Sequence, residues 1–201
     1  KISLPGGCAI GSRPVDLHLL ALKKLGAKIK IKNGYIYATA KKGLHGNIIR
    51  FPSISVGATE NAILASIQAR GETILQNCSI EPEVQDLILF LKKMGHKIKI
   101  FGKRNIKISG TTNPKIVKHN VMFDRIELGT YLIAAALIGN NVRLININPT
   151  IISNEIKILK KMGVKLKIEK NKITVFKSDN IKKINLKTEP YPGFPTDLQA
   201  Q

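Results

Sequence analysis

The apolar positions of this chain follow two alternating periods. In Leu22-Lys23-Lys24-Leu25-Gly26-Ala27-Lys28-Ile29-Lys30-Ile31, a helical spacing gives way after a glycine to strict alternation of apolar and lysine residues. This predicts the end of an amphipathic helix, a left-handed glycine cap, and a strand with one buried face. The pattern returns as Leu91-Lys92-Lys93-Met94-Gly95-His96-Lys97-Ile98-Lys99-Ile100 and as Leu159-Lys160-Lys161-Met162-Gly163-Val164-Lys165-Leu166-Lys167-Ile168. Recurrence about every seventy residues marks a repeated supersecondary unit. Each copy continues into a hairpin. Asn33-Gly34 is a type I′ turn signal, with Tyr35 to Ala40 as the return strand. Turns near Gly102 to Asn105 and at Lys170-Asn171 predict return strands from Ile106 and over Ile173 to Phe176.

The stretches between these hairpins complete the unit. Asn47 to Phe51 reads as a strand, Ala58 to Arg70 as a helix stopped by Gly71, and Thr73 to Gln76 as a strand. Pro82 to Met94 is the next helix, with proline near its start and Glu81, Glu83 and Asp86 toward its positive end. The following copy has a helix from about Asp124 to Ile138, a strand over Val142 to Ile147, and a helix from about Ile151 to Met162. The fold class is α/β, built from a repeating β-α-β-α-β-β unit. The helices at Ala58–Arg70 and Arg125–Ile138 are apolar on most faces and should be interior, while the lysine-ended helices should lie outside.

Composition narrows the function classes. A hydrophobic content of 43% suits a globular chain of 201 residues with a substantial core. The longest apolar run, near Tyr131 to Ile138, is too short to span a bilayer, so no membrane partner is expected. Two cysteines far apart form no disulfide framework, and no Cys/His cluster has zinc spacing, which fits a reducing cytoplasm. The net charge of +20 raises nucleic acid as a partner. However, the lysines are spread along the whole chain, with no tryptophan and no aromatic RNA-binding motif, so the charge reads as solvated faces and no nucleic-acid partner is expected. A minority of it could steer anionic substrates.

Candidate chemistry concentrates in Leu4-Pro5-Gly6-Gly7-Cys8-Ala9-Ile10-Gly11-Ser12-Arg13-Pro14-Val15-Asp16-Leu17-His18. Glycine allows close backbone approach to a ligand, and a thiol gains reactivity near positive charge, here Arg13. Ser12 is a candidate cap for a helix whose first turn holds Pro14. From the residues alone this is either a thiol site beside an anion-binding helix start or a plain Gly/Pro loop. Ser55-Val56-Gly57 likewise reads as an anion site at a helix start or as a Ser/Gly cap. Asp197 follows Pro195-Thr196 at another predicted helix start, where an aspartate also serves as a cap, and Asp124-Arg125-Ile126-Glu127 holds the equivalent place in the preceding unit. Glu81 and Glu83 are assigned to their helix, and Cys78 to a small buried position.

Three motifs occur in a characteristic order: Pro5-Gly6-Gly7-Cys8-x-Ile10-Gly11-x-Arg13-Pro14-Val15-Asp16-Leu17-His18, then Ser55-Val56-Gly57-Ala58-Thr59-Glu60-Asn61, then Phe194-Pro195-Thr196-Asp197-Leu198-Gln199-Ala200-Gln201. Together they resemble the UDP-N-acetylglucosamine 1-carboxyvinyltransferases, which catalyse the first committed step of bacterial peptidoglycan synthesis. The resemblance implies two inside-out α/β barrel domains of three units each, facing each other across the active site. It puts the boundary around Lys118 to Phe123, with residues 1–120 part of the first domain and 121–201 part of the second, and makes the chain the middle of a longer enzyme. The implied substrates are phosphoenolpyruvate and UDP-N-acetylglucosamine, with no metal or organic cofactor. Cys8 is the implied proton donor to phosphoenolpyruvate, able to form a covalent thioether with it and to be alkylated by its mimic fosfomycin. Arg13 would lie near the phosphoenolpyruvate phosphate. Pro14, Val15, Asp16 and Leu17 would hold the uridine end, and Ser55, Val56 and Gly57 the diphosphate. Ser53 stands in that substrate-binding stretch where the family often has a lysine, which removes a direct charge contact. Asp197 would face the sugar 3-hydroxyl as base or orienting group. The related shikimate-pathway enolpyruvyl transferase shares the repeat, but its chemistry does not rest on such a thiol. The family also uses a lysine-asparagine pair and several arginines from outside this span, so the isolated segment is expected to be inactive and, with apolar faces uncovered, poorly soluble.

Overall fold

In the computed structural model, which describes residues 1–6, 14–110 and 113–201, the chain divides into two compact units, Lys1–Asn120 and Val121–Gln201. The first unit contains β1 (Ile2–Ser3), α1 (Asp16–Lys24), β2 (Lys28–Lys32), β3 (Tyr35–Thr39), β4 (Ile48–Arg50), α2 (Val56–Ser66), β5 (Glu72–Gln76), α3 (Pro82–Lys93), β6 (Lys97–Phe101) and β7 (Asn105–Ser109). The second contains α4 (Arg125–Ile138), β8 (Val142–Ile145), α5 (Ser153–Lys161), β9 (Leu166–Glu169) and β10 (Lys172–Val175). Two 3-10 turns also belong to it, at Pro149–Ile152 and Thr196–Leu198.

The sheet orders expose the repeat. They are β1-β3-β2, β4-β5-β7-β6 and β8-β10-β9. In each, the strand before the lysine-ended helix pairs antiparallel with the return strand, which pairs antiparallel with the lysine strand. Among the described residues, only the second copy adds a parallel first strand, β4 on β5, and is thus the complete β-α-β-α-β-β unit. Gly26, Gly95 and Gly163 end the three helices at φ of 100, 104 and 94°. Only glycine adopts this backbone without strain, which is why the helix-to-strand switch recurs at the same residue.

Helix α3 shows how the pattern becomes packing. Proline occupies its first turn, Lys92 and Lys93 its last, and Val84, Ile88 and Leu91 line its buried face. Burial of each such side chain is worth about 1.5–3 kcal/mol. These residues join Ile49, Phe51, Ala62, Ile63, Leu75, Ile106 and Ile108 in the first core. A second core in the other unit is built on Leu132, Ile152, Leu159, Ile173 and Val175.

The structure bears on three expectations. The apolar helices are not enclosed all round: Leu64 on α2 and Tyr131, Leu137 and Ile138 on α4 are exposed. A helix packed against one sheet within its unit buries one stripe, and the rest of its apolar surface has no layer to meet there. The three sheets are open, and none closes into a barrel among the described residues. The helix expected from Ile151 begins instead as the 3-10 turn at Pro149 and becomes α-helical at Ser153.

One buried group makes a stability prediction. Thr73 on β5 is buried, and its Oγ1 has no hydrogen-bond partner among the described residues. Thr73→Val keeps the shape and removes the unsatisfied hydroxyl, so it is expected to stabilise by about 1 kcal/mol. A urea midpoint lower than the parent's would contradict this.

Candidate functional site

The connection between each lysine-ended helix and the strand before it differs in length among the copies. In the third copy it leaves β8 at Asn146 and enters the 3-10 turn at Pro149, and in the second it runs from Asn77 to Glu81. In the first it runs from Leu4 to Val15 and carries the Pro-Gly-Gly-Cys motif. One scaffold position with one long insertion is where function concentrates, because strands and helices hold the ends while the loop varies. Cys8 and Arg13 lie outside the described residues, as does Ser12. Before them, the Leu4 N–H donates to the Gly34 carbonyl at 2.8 Å and anchors the loop to the first hairpin. After them, Pro14 is exposed and Val15 half-buried, and the helix begins only at Asp16. Pro14 therefore precedes the helix rather than occupying its first turn. Val15 is the N-cap, with no side-chain cap bond, and Asp16 supplies the first-turn acid.

The second stretch is held tightly. Ser55 has extended backbone and caps α2, its Oγ accepting from the Ala58 N–H at 3.3 Å. The Thr59 hydroxyl donates to the Ser55 carbonyl at 2.8 Å and accepts from the Ser79 N–H at 3.0 Å. Asn77 Nδ2 donates to the Phe51 carbonyl at 2.9 Å, tying the ends of β4 and β5 together just before Ser53. The first-turn N–H groups of Val56 and Gly57 precede the helical bonding, and together with the dipole they favour an anion there. Ser53 is exposed and neutral, so this end of α2 depends on backbone groups rather than on a local cation.

These two stretches meet. Helix α1 packs on α2. A Cβ on Gly57 would stand 3.4 Å from His18 Cε1 and 3.6 Å from Nε2, so the imidazole lies against the start of α2. Thus Pro14–Leu17 and Ser55–Gly57, separate in sequence, share one end of the first unit, and the cysteine loop leads into it. The place of His18 between two helix starts is a packing fact that no local signal in the sequence carries. The Ser55–Thr59 link was legible in principle, since residues four apart on a helix face one another.

Cys78 is fully buried, and burial pushes its thiol up to about 12, partly opposed by the nearby Arg104 charge and the Thr59 hydroxyl. It is therefore un-ionised at neutral pH and inert. Glu81 is the N-cap residue of α3, as its assignment to the helix implies, and makes no side-chain cap bond. It is buried and accepts a hydrogen bond from the Ser79 hydroxyl. Burial, with Glu83 and Glu81 nearby, raises the Glu60 carboxyl above its ordinary range.

In the second unit, Asp197 is exposed on the 3-10 turn Thr196–Leu198. The turn is held on α4 by buried Phe194 and Leu198, and Gln201 Nε2 donates to the Thr130 hydroxyl at 3.1 Å. Gly129 makes this close packing possible, since a Cβ there would reach within 2.6 Å of Leu198. Beside the turn is a mainly apolar cavity of about 180 Å³, lined by Leu132, Leu159, Phe194, Leu198 and the buried Glu155. Burial raises the Glu155 carboxyl, opposed in part by Arg125. Asp124 is a structural cap, accepting from the Ile126 and Glu127 N–H groups at 2.7 and 3.2 Å. Among the described residues no three His, Cys, Asp or Glu side chains form a metal site, and no helix is long and apolar enough to cross a membrane.

The sequence matches the EPSP synthase (3-phosphoshikimate 1-carboxyvinyltransferase) family over residues 1–201. It is 59% identical over 201 residues to the UDP-N-acetylglucosamine 1-carboxyvinyltransferase of Pelagibacter ubique and 50% identical over 201 residues to that of Endomicrobium trichonymphae. Both matches cover 100% of this chain and 48% of the relative. The chain thus spans about half the length of the curated relatives it matches. The fold is similar to that of the enolpyruvyl transferase NikO from Streptomyces tendae, with a TM-score of 0.79 at 20% identity over 92% of this chain and 47% of that one.

Proposed function

The chain belongs to the EPSP synthase (3-phosphoshikimate 1-carboxyvinyltransferase) family, and from that premise we propose that it is the central part of a UDP-N-acetylglucosamine 1-carboxyvinyltransferase of the bacterial cytoplasm. The whole protein transfers the enolpyruvyl group of phosphoenolpyruvate to the sugar 3-hydroxyl and releases phosphate. One observation carries the reading. The α1 and α2 starts converge at one end of the first unit, and in sequence α1 follows directly on the segment that holds Cys8. The two units are read as parts of two inside-out barrels, residues 1–120 in the first and 121–201 in the second.

The reaction needs a proton added to the methylene carbon and a hydroxyl attack on its neighbour. The Cys8 thiol supplies the proton and becomes a thiolate, and Asp197 takes or orients the proton of the attacking 3-hydroxyl. The resulting tetrahedral adduct loses a proton from the new methyl group and expels phosphate. Arg13 binds the phosphoenolpyruvate phosphate with its forked donors. Pro14 to Leu17 hold the uridine end, and the Val56 and Gly57 N–H groups the diphosphate. With Ser53 in place of a lysine, the diphosphate relies on those backbone donors.

Phosphate release by the whole protein tests this reading, with UDP-N-acetylglucosamine or shikimate 3-phosphate as acceptor. Release only with the nucleotide sugar is expected. Release only with shikimate 3-phosphate would assign the other branch of the family. Asp197→Asn is expected to lower kcat about 10²- to 10⁴-fold with little change in nucleotide-sugar affinity. Unchanged turnover would remove Asp197 from the chemistry.

A further inference from the structure

The lysine strands of the three copies do not present the same surface. In the second sheet Lys107 pairs with Glu72 at 2.7 Å. In the third, Lys172 and Lys167 lie 3.1 and 3.9 Å from Glu169. In the first, alternation places Lys28, Lys30 and Lys32 of β2 on one face with Thr39, Tyr37 and Tyr35 of β3, their respective partners across the ladder. Ser3 of β1 flanks Tyr35 on the other side. Ile36 points the opposite way and is buried, so the tyrosine–lysine face is the outer one, and both rings are 39% exposed. Lys1 Nζ lies 4.0 Å from the Tyr35 ring centroid and 5.6 Å from that of Tyr37, so both rings turn a face, rather than an edge, toward this flexible side chain, which a stacking base would displace. Among the described residues of these strands, this face holds Lys1, Lys28, Lys30 and Lys32 and no carboxylate.

We propose that this face binds single-stranded nucleic acid, with lysines along the phosphates and bases stacked on Tyr35 and Tyr37. Residues two apart on a strand are separated by about 6.8 Å, within a Debye length at physiological salt, so the ammonium fields add. Any polyanion is attracted by such a field. Outward ring faces discriminate in favour of one that carries bases, because every base has a π-face to stack. A bilayer would call for large aliphatic side chains projecting from the same face, and the strand positions here are lysine, tyrosine, threonine and serine. The lysines look evenly spread along the chain; strand pairing gathers these. The proposal uses no residue of the cysteine loop or of the α2 start, so it stands or falls separately from the catalytic reading.

The test uses the whole protein and a labelled, uridine-rich single-stranded RNA oligonucleotide, followed by anisotropy and by intrinsic tyrosine emission, which in this span no tryptophan obscures. Saturable binding is expected. Its affinity should fall with salt at a log–log slope near −3, from about 0.7 per phosphate neutralised by four lysines. Tyrosine emission should be quenched. Lys30→Glu with Lys32→Glu should weaken binding at least about tenfold. Tyr35→Ser with Tyr37→Ser should weaken it about tenfold or more and abolish the quench, each with an unchanged thermal midpoint. Lys167→Glu, on the third sheet, should leave binding as it was. Inorganic polyphosphate bound as tightly as RNA, tyrosine variants binding like the parent, or capture by anionic vesicles but not by RNA would each overturn the proposal. So would the absence of salt-dependent binding.

Discussion

Cys8→Ala in the whole protein is expected to lower turnover by about 10²- to 10⁴-fold while nucleotide-sugar affinity stays within about threefold of the parent's. Alanine cannot give a proton, whereas the groups proposed to hold the uridine and diphosphate are backbone and helix-start groups that the substitution leaves in place. The same thiol should be labelled by fosfomycin. Its epoxide carbon forms a bond to the thiolate sulfur, and the opened oxygen takes up a proton, so the mass rises by the whole reagent. A single adduct on the Cys8 peptide, dependent on UDP-N-acetylglucosamine, is expected in an intact-mass and peptide-mapping experiment. Cys78 is the internal control, because a fully buried thiol held up near 12 offers neither access nor thiolate. Labelling of Cys78 with Cys8 untouched, or Cys8→Ala turnover within tenfold of the parent's, would remove Cys8 as the proton donor.

The second large effect is on stability. Gly46→Ala is expected to destabilise the whole protein by about 3 kcal/mol or more. A Cβ at Gly46 would stand 2.1, 2.5 and 2.7 Å from the O, C and N atoms of Glu72, all of them backbone. No rotamer change relieves that contact; β4 must move away from β5. The contacts put at risk are those that start the parallel pair: the Gly46 N–H to the Arg70 carbonyl at 2.8 Å and the Ile74 N–H to the Asn47 carbonyl at 3.0 Å. Because the β4 end leads into the Ser55 cap, the strain would also reach the α2 start. Gly57→Ala gives the contrast: its nearest neighbour, a His18 ring atom at 3.4 Å, is in ordinary contact. It should leave the urea midpoint near that of the parent or above it, since alanine is the better helix former. Equal midpoints for the two variants would contradict the backbone-clash argument.

Much of the architecture was legible because its signals are local. The Leu-Lys-Lys-apolar-Gly stretch predicts a helix end just before its glycine, through Met94 and Met162 in the second and third copies, and those helices end one residue earlier, at Lys93 and Lys161, as α1 does at Lys24. Asn33 and Gly34 take the positive φ of 51 and 73° that their turn requires. The Ser55 cap was likewise readable from one residue before an apolar run. The candidate chemistry was legible only as motifs, and the resemblance, rather than the spacing, assigned roles to Cys8 and Asp197. One local reading differs from the structure: the chain order puts Pro14 in the first helical turn, and the helix starts at Asp16.

What the chain carries in its own order is therefore the period, the element types and the turn chemistry, since these depend on residues within a few positions of each other. Other features arise from distant pairing. The imidazole of His18 against Gly57 brings two stretches together at one end of the first unit. The Ser55–Thr59–Ser79 hydrogen-bond chain holds α2 to the end of β5. The register of β2 on β3 turns scattered lysines and tyrosines into one surface. Each depends on which backbone segments come within a few ångströms of one another, and long-range packing decides that, because no local propensity distinguishes one partner segment from another.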